Sequence, residues 1–213
     1  METYDTFNSY MFASVPEAAR VLDVGTGTGQ MGMQVRRLKR PVFLAGVEKD
    51  RDASEMARGY YDQFVVTDIE QMDDLPFPRD FFDVILLGDV LEHLRDPDRI
   101  IRTLTPFLAP RGRFLISVPN VAFASVRLSL LFGKFSYSQR GGILDVNHLK
   151  FYTRSSLTKF LENVGLNVIR VRGYNVVRLR FVFLKWLGWL MPTLFCLQFL
   201  AEAEKRQICD SGS

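Results

Sequence analysis

The chain has 213 residues, 47% of them hydrophobic, and a formal net charge of +3. That is enough apolar material for one α/β-sized core and too much for a disordered chain. Cys196 and Cys209 are too few for a disulfide-stapled scaffold, and METYDTFNSY lacks the basic and apolar regions of a secretory signal, so a reducing cytoplasm is the expected compartment.

Residues 4–18, with Tyr4, Phe7, Tyr10, Met11 and Phe12, read as a short helix ahead of the first strand. It either caps a ligand or covers the sheet edge. Residues 21–24 read as a buried strand with Asp23 near its end. Gly25, Gly27 and Gly29 then alternate with Thr26 and Thr28, and Met31, Met33, Val35 and Leu38 lead into a helix. In such a strand–turn–helix unit the glycines let the backbone approach a ligand, and the helix start offers unpaired N–H groups. Gly27-x-Gly29-x-x-Gly32 fits the dinucleotide fingerprint as written. A carboxylate at Asp23 would repel a pyrophosphate, however, and suits a ligand bearing an ammonium.

The string from Asp23 to Gly29, D-V-G-T-G-T-G, resembles motif I of the class I S-adenosylmethionine-dependent methyltransferases. Their cofactor carries a sulfonium and an ammonium and no phosphate. The resemblance implies cofactor contacts from Asp23, Gly25, Thr26, Gly27 and Gly29. Residues 41–47 form a second buried strand, ended by Glu48. Ligands of doubly wound sheets lie beyond the carboxyl ends of the strands. Glu48 matches the family's ribose-binding acid, with Lys49 beside it. Asp50 caps the next helix. Residues 64–66 are the third strand, and after it the family places an acid and an apolar neighbour against the adenine, here Asp68 and Ile69; Asp68 could instead cap the turn.

Residues 84–87 are the fourth strand, followed by Gly88, which with Asp89 joins the expected cofactor set. On a helix Asp89, Glu92 and His93 would share one face. They resemble the E-x-x-E-H element of ubiquinone-biosynthesis and small-RNA O-methyltransferases, where these side chains help hold a divalent metal; here Asp replaces the first Glu. Residues 98–107 read as a surface helix closed by Pro110 and Gly112, and 113–118 as strand five.

From Val121 to Leu200 eleven Lys and Arg face only Asp145 and Glu162, whereas the first 120 residues hold fourteen basic against nineteen acidic residues. A basic half joined to an acidic cofactor half is a statement about partners. Residues 121–132 form an apolar helix, and 133–147 a polar loop suited to a substrate lid. G-I-L-D-V-N-H-L-K-F-Y-T, residues 142–153, resembles a segment of methyltransferases encoded among bacterial cell-surface polysaccharide enzymes. In the metal-dependent relatives a distant histidine completes the site, so His148 could join Asp89, Glu92 and His93 around an ion. His93 or His148 could otherwise act as base with Glu92, or His148 could order its loop.

Thr153 caps a helix over 154–164, and 166–173 alternate as a strand. Residues 177–190 read as an apolar helix with Phe183, Trp186 and Trp189. Arg178, Arg180 and Lys185 in or beside it favour peripheral contact with an anionic membrane face rather than a span. Residues 194–203 are the last strand, and QICDSGS, 207–213, a disordered tail. The resemblance implies a Rossmann-like three-layer α/β sandwich with a seven-stranded, mostly parallel sheet, last strand antiparallel, order 3-2-1-4-5-7-6. Residues 1–206 are expected to form one domain, with lid insertions at about 121–153 and 174–193. The expected reaction is methyl transfer from S-adenosylmethionine, with or without a divalent metal, to oxygen of a small-molecule, glycan or lipid-linked acceptor. A cofactor-binding module without catalysis and an RNA methyltransferase are the alternatives; no added basic–aromatic RNA-recognition motif is visible.

Overall fold

The structure is a computed structural model and describes residues 7–176 and 192–206. The expected helix at 177–190, with its cations and tryptophans, lies outside the described residues, as do Tyr4 and the tail. Among the described residues no helix is long and apolar enough to cross a membrane.

Helix α1 (Ser9–Ser14) precedes β1 (Arg20–Val24), α2 (Gln30–Leu38), β2 (Phe43–Glu48), α3 (Arg51–Ala57), β3 (Gln63–Val66) and β4 (Phe82–Gly88). Then come α4 (Pro97–Leu104), β5 (Leu108–Pro119), α5 (Ala124–Leu131), α6 (Arg154–Asn163), β6 (Leu166–Val176), a helical turn at Pro192–Phe195, and β7 (Cys196–Lys205). The strands form one sheet in the order β3-β2-β1-β4-β5-β7-β6. β7 runs antiparallel to both of its neighbours, and the other pairings are parallel. This is the order and polarity that the resemblance implies.

Period-two alternation along the central strands sorts the core into two faces. Leu22, Val24, Ile85, Leu87, Phe114 and Ile116 pack under α4 and α6, against Ile100, Leu104, Leu157 and Leu161. Val21, Leu44, Val84, Leu86 and Leu115 pack on the other side, against Met11, Val35 and Ala57 of α1, α2 and α3. All these side chains are almost wholly buried, which places the hydrophobic driving force on both faces of the sheet. The sheet therefore holds β1, β2, β4 and β5 with their carboxyl ends on one edge.

Several boundaries move for local reasons. Asp96, not a residue further on, caps α4, and Pro97 takes the first helical position. Pro110 and Gly112 do not close a helix. They lie in an extension of β5 that pairs Leu108 with Phe82 across an irregularity. α5 starts at Ala124 because Asn120 holds Ala122 and Phe123 in a turn through its side chain and carbonyl. The β6 ladder runs on to its end, with Tyr174 opposite Gln198 and Val176 opposite Cys196. Asp50 and Thr153 cap α3 and α6 as expected.

Candidate active site

The strand ends open on one cleft of about 1910 Å³. Asp23, Gly25, Thr26, Gly27, Glu48 and Ile69 line it, as do Glu92, His93 and His148. A pocket for one drug-sized ligand measures about 300–1,000 Å³, so this cleft has room for more than one.

Gly29 is the N-cap of α2 with φ +84°, and a Cβ there would lie 2.8 Å from the Cα of Ala57. No L side chain fits that turn. Gly27 donates its N–H to Glu48 Oε2 at 2.8 Å, while Glu48 Oε1 accepts from the N–H groups of Lys49 and Asp50. Glu48 is thus a clasp between the glycine turn and the end of β2. Three N–H donors take three of a carboxylate's roughly four acceptor positions. Asp68 caps the turn that follows β3, accepting from Glu70 N at 3.0 Å, and also lines the cleft. Ile69 is buried beside it; Lys49 and Gly88 border the same space.

Asp23 sits on the face of β1 that α2 and α3 cover. It is 4% exposed and accepts from the Tyr61 hydroxyl at 2.7 Å. Burial pushes its carboxyl up to about 6, with the Tyr61 hydrogen bond opposing and the nearby Glu48 assisting. Burial and Asp23 drive the Tyr61 hydroxyl well above its usual range. Tyr61 is a residue that sequence reasoning missed. The signal was Gly32, a lone glycine inside a helix. A Cβ on Gly32 would lie 2.2 Å from the Tyr61 hydroxyl oxygen, so the third glycine of the dinucleotide pattern makes room for a tyrosine. Gly32→Ala would otherwise gain about 1 kcal/mol of helix propensity. Here it should lower the melting temperature by several degrees, because Tyr61 is buried and cannot swing away without leaving Asp23. A melt of Gly32→Ala beside Gly32→Ala/Tyr61→Leu checks this; partial rescue is expected in the double variant.

The second loaded stretch is not a helix. Asp89 has φ +54°, and Leu91–His93 is a single 3-10 turn. The shared helical face therefore does not form, since a left-handed residue after Gly88 reverses the chain. Asp89 turns toward β5 and β7, where Ser117 Oγ and Gln198 Nε2 each donate to it at 2.9 Å. Glu92 is 1% exposed, and among the described residues neither of its carboxyl oxygens has a hydrogen-bond partner. Burial first, then Asp89, raises its pKa well above the usual range.

The lid brings His148 to this point. The Glu92 carbonyl accepts from Leu149 N at 2.7 Å and Lys150 N at 3.0 Å. The His93 and His148 rings stack edge to face at 4.8 Å. One ligand atom each from Glu92, His93 and His148 lie within 4.8 Å of one another; Asp89 is not part of that set. His93 Nδ1 faces the Asn147 carbonyl at 3.1 Å, and His148 Nδ1 faces that of Ile143 at 3.0 Å. Those carbonyls fix Nδ1 as the protonated nitrogen of each neutral ring and leave Nε2 with its lone pair. Desolvation and then His148 hold the His93 imidazole below its ordinary pKa.

A family profile described as "Methyltransferase domain" matches residues 3–171. The chain is 33% identical over 109 residues to a ubiquinone/menaquinone biosynthesis C-methyltransferase of Vibrio vulnificus, covering 46% of this chain and 40% of that one. It is 25% identical over 159 residues to a ubiquinone biosynthesis O-methyltransferase of Coxiella burnetii, covering 73% and 66%. The chain thus spans between two fifths and two thirds of the length of these relatives. A solved S-adenosylmethionine-dependent methyltransferase of Archaeoglobus fulgidus superposes with a TM-score of 0.66 over 92% of this chain and 89% of that one; at 17% identity this is a likeness of fold.

Proposed function

Because the chain belongs to the methyltransferase-domain family of class I, S-adenosylmethionine-dependent proteins, we propose that it transfers that cofactor's methyl group to an oxygen of a small-molecule, glycan or lipid-linked acceptor. One observation carries the reading. One cleft holds both the glycine turn and a buried carboxyl group that has no hydrogen-bond partner among the described residues and lies beside two imidazoles. The cofactor supplies a methyl carbon already activated by its sulfonium. The protein's work is alignment and removal of the acceptor's proton.

In this reading Asp23 receives the cofactor's ammonium, helped by the backbone around Gly25, Thr26, Gly27 and Gly29. Glu48 has about one acceptor position left, which suits one ribose hydroxyl rather than both. Ile69 covers the adenine, with Asp68 and Lys49 at its rim, and Gly88 borders the cleft at the end of β4. His93 or His148 accepts the proton through Nε2, and Glu92 stabilises the imidazolium that results. Asp89 is a positioning residue that ties the end of β4 to Ser117 and Gln198.

The residues also fit a divalent ion. Glu92 offers a carboxyl group with no hydrogen-bond partner among the described residues, and the two rings offer imidazole nitrogens, a mixed donor set that several divalent metals accept. Glu92, His93 and His148 would hold it, without Asp89, and it would lower the acceptor hydroxyl's pKa.

On this proposal the protein works in the cytoplasm, peripherally at its membrane face. Titration calorimetry with S-adenosylhomocysteine and with NAD tests the cofactor assignment; binding of the first and not the second is expected. Transfer of labelled methyl from S-adenosylmethionine to glycan and lipid extracts tests the activity. Tight NAD binding would overturn the assignment, and cofactor binding without transfer to any extract would reduce the protein to a binding module.

A further inference from the structure

The end of α5 and the loop behind it carry a run of exposed large apolar side chains. Leu131 is 77% exposed and Phe132 69%, and Leu128, Leu130, Phe135 and Tyr137 are more than half exposed. Within α5 only Val126 is buried. This exposure is built in. Lys134 N donates to the Ser129 carbonyl at 2.8 Å and Gly133 N to that of Leu130 at 2.9 Å, with Gly133 at φ +65°. That pair of bonds is a Schellman closure, which ends the helix and holds Phe132 and Phe135 outward.

The surroundings are basic. In the sequence Arg127, Lys134, Arg140 and Lys150 lie within and after the patch, no Asp or Glu occurs from Val121 to Leu144, and Asp145 ends the run. Among the described residues none of the four cations pairs with a carboxylate. The patch is continuous with the cleft, because Phe123, Ser125 and Val126 at the start of α5 and 138–149 of the lid line it.

We propose that this apolar, basic-rimmed tip seats on an anionic lipid surface and sets the mouth of the cleft at the headgroups. Leu131, Phe132 and Phe135 enter the acyl boundary, and Lys134 and Arg140 meet anionic headgroups. Charge selects this occupant. A second copy of the chain would set like charges against one another, and a protein interface core is depleted in lysine, which here stands between Phe132 and Phe135. Seating at the headgroups gives purpose to the lipid-linked acceptor of the preceding reading, but vesicle binding is measured without catalysis, so the two fail separately.

The test is flotation of the full chain with vesicles of phosphatidylcholine alone and with about one third phosphatidylglycerol. Binding only to the anionic vesicles, weakening with salt, is expected. Leu131→Asp/Phe132→Asp and Lys134→Glu should each lose at least tenfold in partitioning, with melting temperature and S-adenosylhomocysteine affinity unchanged. If the first variant does not fold, the charge-reversed one decides alone. Failure of the wild type to float overturns the proposal. So does equal flotation of the variants, which would move the contact to 177–191. A dimer in light scattering that Leu131→Asp/Phe132→Asp disperses would overturn it in favour of a second copy.

Discussion

Asp23→Asn is expected to weaken S-adenosylhomocysteine binding between ten- and a hundred-fold at pH 7.5, and the deficit should shrink to nothing near pH 4.5. An ammonium held by a buried carboxylate is a charged hydrogen bond of roughly 1.5–3 kcal/mol. Asp23 has its pKa pushed up to about 6 in the empty protein. Above that pH the site is ionised and ready. Below it each binding event must expel a proton, so wild-type affinity should fall up to tenfold per pH unit, while the asparagine variant stays flat.

The same shift has the opposite sign for stability. A carboxyl whose folded pKa is raised contributes fully below its unfolded value of about 3.9 and loses that contribution as pH rises through about 6. That displacement corresponds to about 3 kcal/mol as an upper bound. Empty Asp23→Asn should therefore melt several degrees above wild type at pH 7.5 and level with it near pH 4. Tyr61→Phe separates the causes. Losing the hydroxyl that donates to Asp23 should move the affinity midpoint above 6 and leave a pH dependence that the asparagine variant lacks. Calorimetry and melts at pH 4.5, 6 and 7.5 read all three, and identical pH profiles for wild type and Asp23→Asn would remove Asp23 from the cofactor site.

Hydrophobic period and local punctuation made part of the fold legible in the sequence. The buried strands at β1 and β4, the glycine turn, and the Asp50 and Thr153 caps depend on neighbours within four residues. The order of the strands came from the family resemblance. Nothing in the residue spacing signals the left-handed backbone at Asp89, because i, i+3, i+4 spacing assumes a helix and one positive φ cancels it. Local pattern is also silent on Tyr61, which reaches Asp23 from 38 residues away. Yet the space it needs was written in Gly32 and Gly46, two glycines inside regular elements; a Cβ on Gly46 would come within 3.0 Å of the Tyr61 ring. The lack of partners around Glu92 is a tertiary fact, made by burial under the lid.

That lack of partners sets the second large expectation. His93→Ala, His148→Ala and Glu92→Gln should each cut methyl transfer by at least a hundredfold while S-adenosylhomocysteine affinity stays within twofold, since none of the three belongs to the glycine turn or to the Glu48 bonds that hold it. A carboxyl group 1% exposed, with no hydrogen-bond partner among the described residues, is held neutral by burial until a cation or an imidazolium comes beside it. Two mechanisms share that arrangement and differ in their readouts. If an imidazole takes the acceptor's proton, chelators leave the rate untouched, and kcat/KM falls as pH drops below His93's lowered pKa. If the three side chains hold an ion, dialysis against a chelator abolishes turnover, a divalent metal restores it, and each variant loses the metal itself, read directly by elemental analysis. Asp89→Asn discriminates further. Its partners are Ser117 and Gln198, so it should keep any metal and lose activity by less than tenfold, whereas loss of the ion in that variant would place Asp89 back among the ligands. Full activity in His93→Ala and His148→Ala together would leave the acceptor without a proton acceptor in this cleft and sink the proposed chemistry.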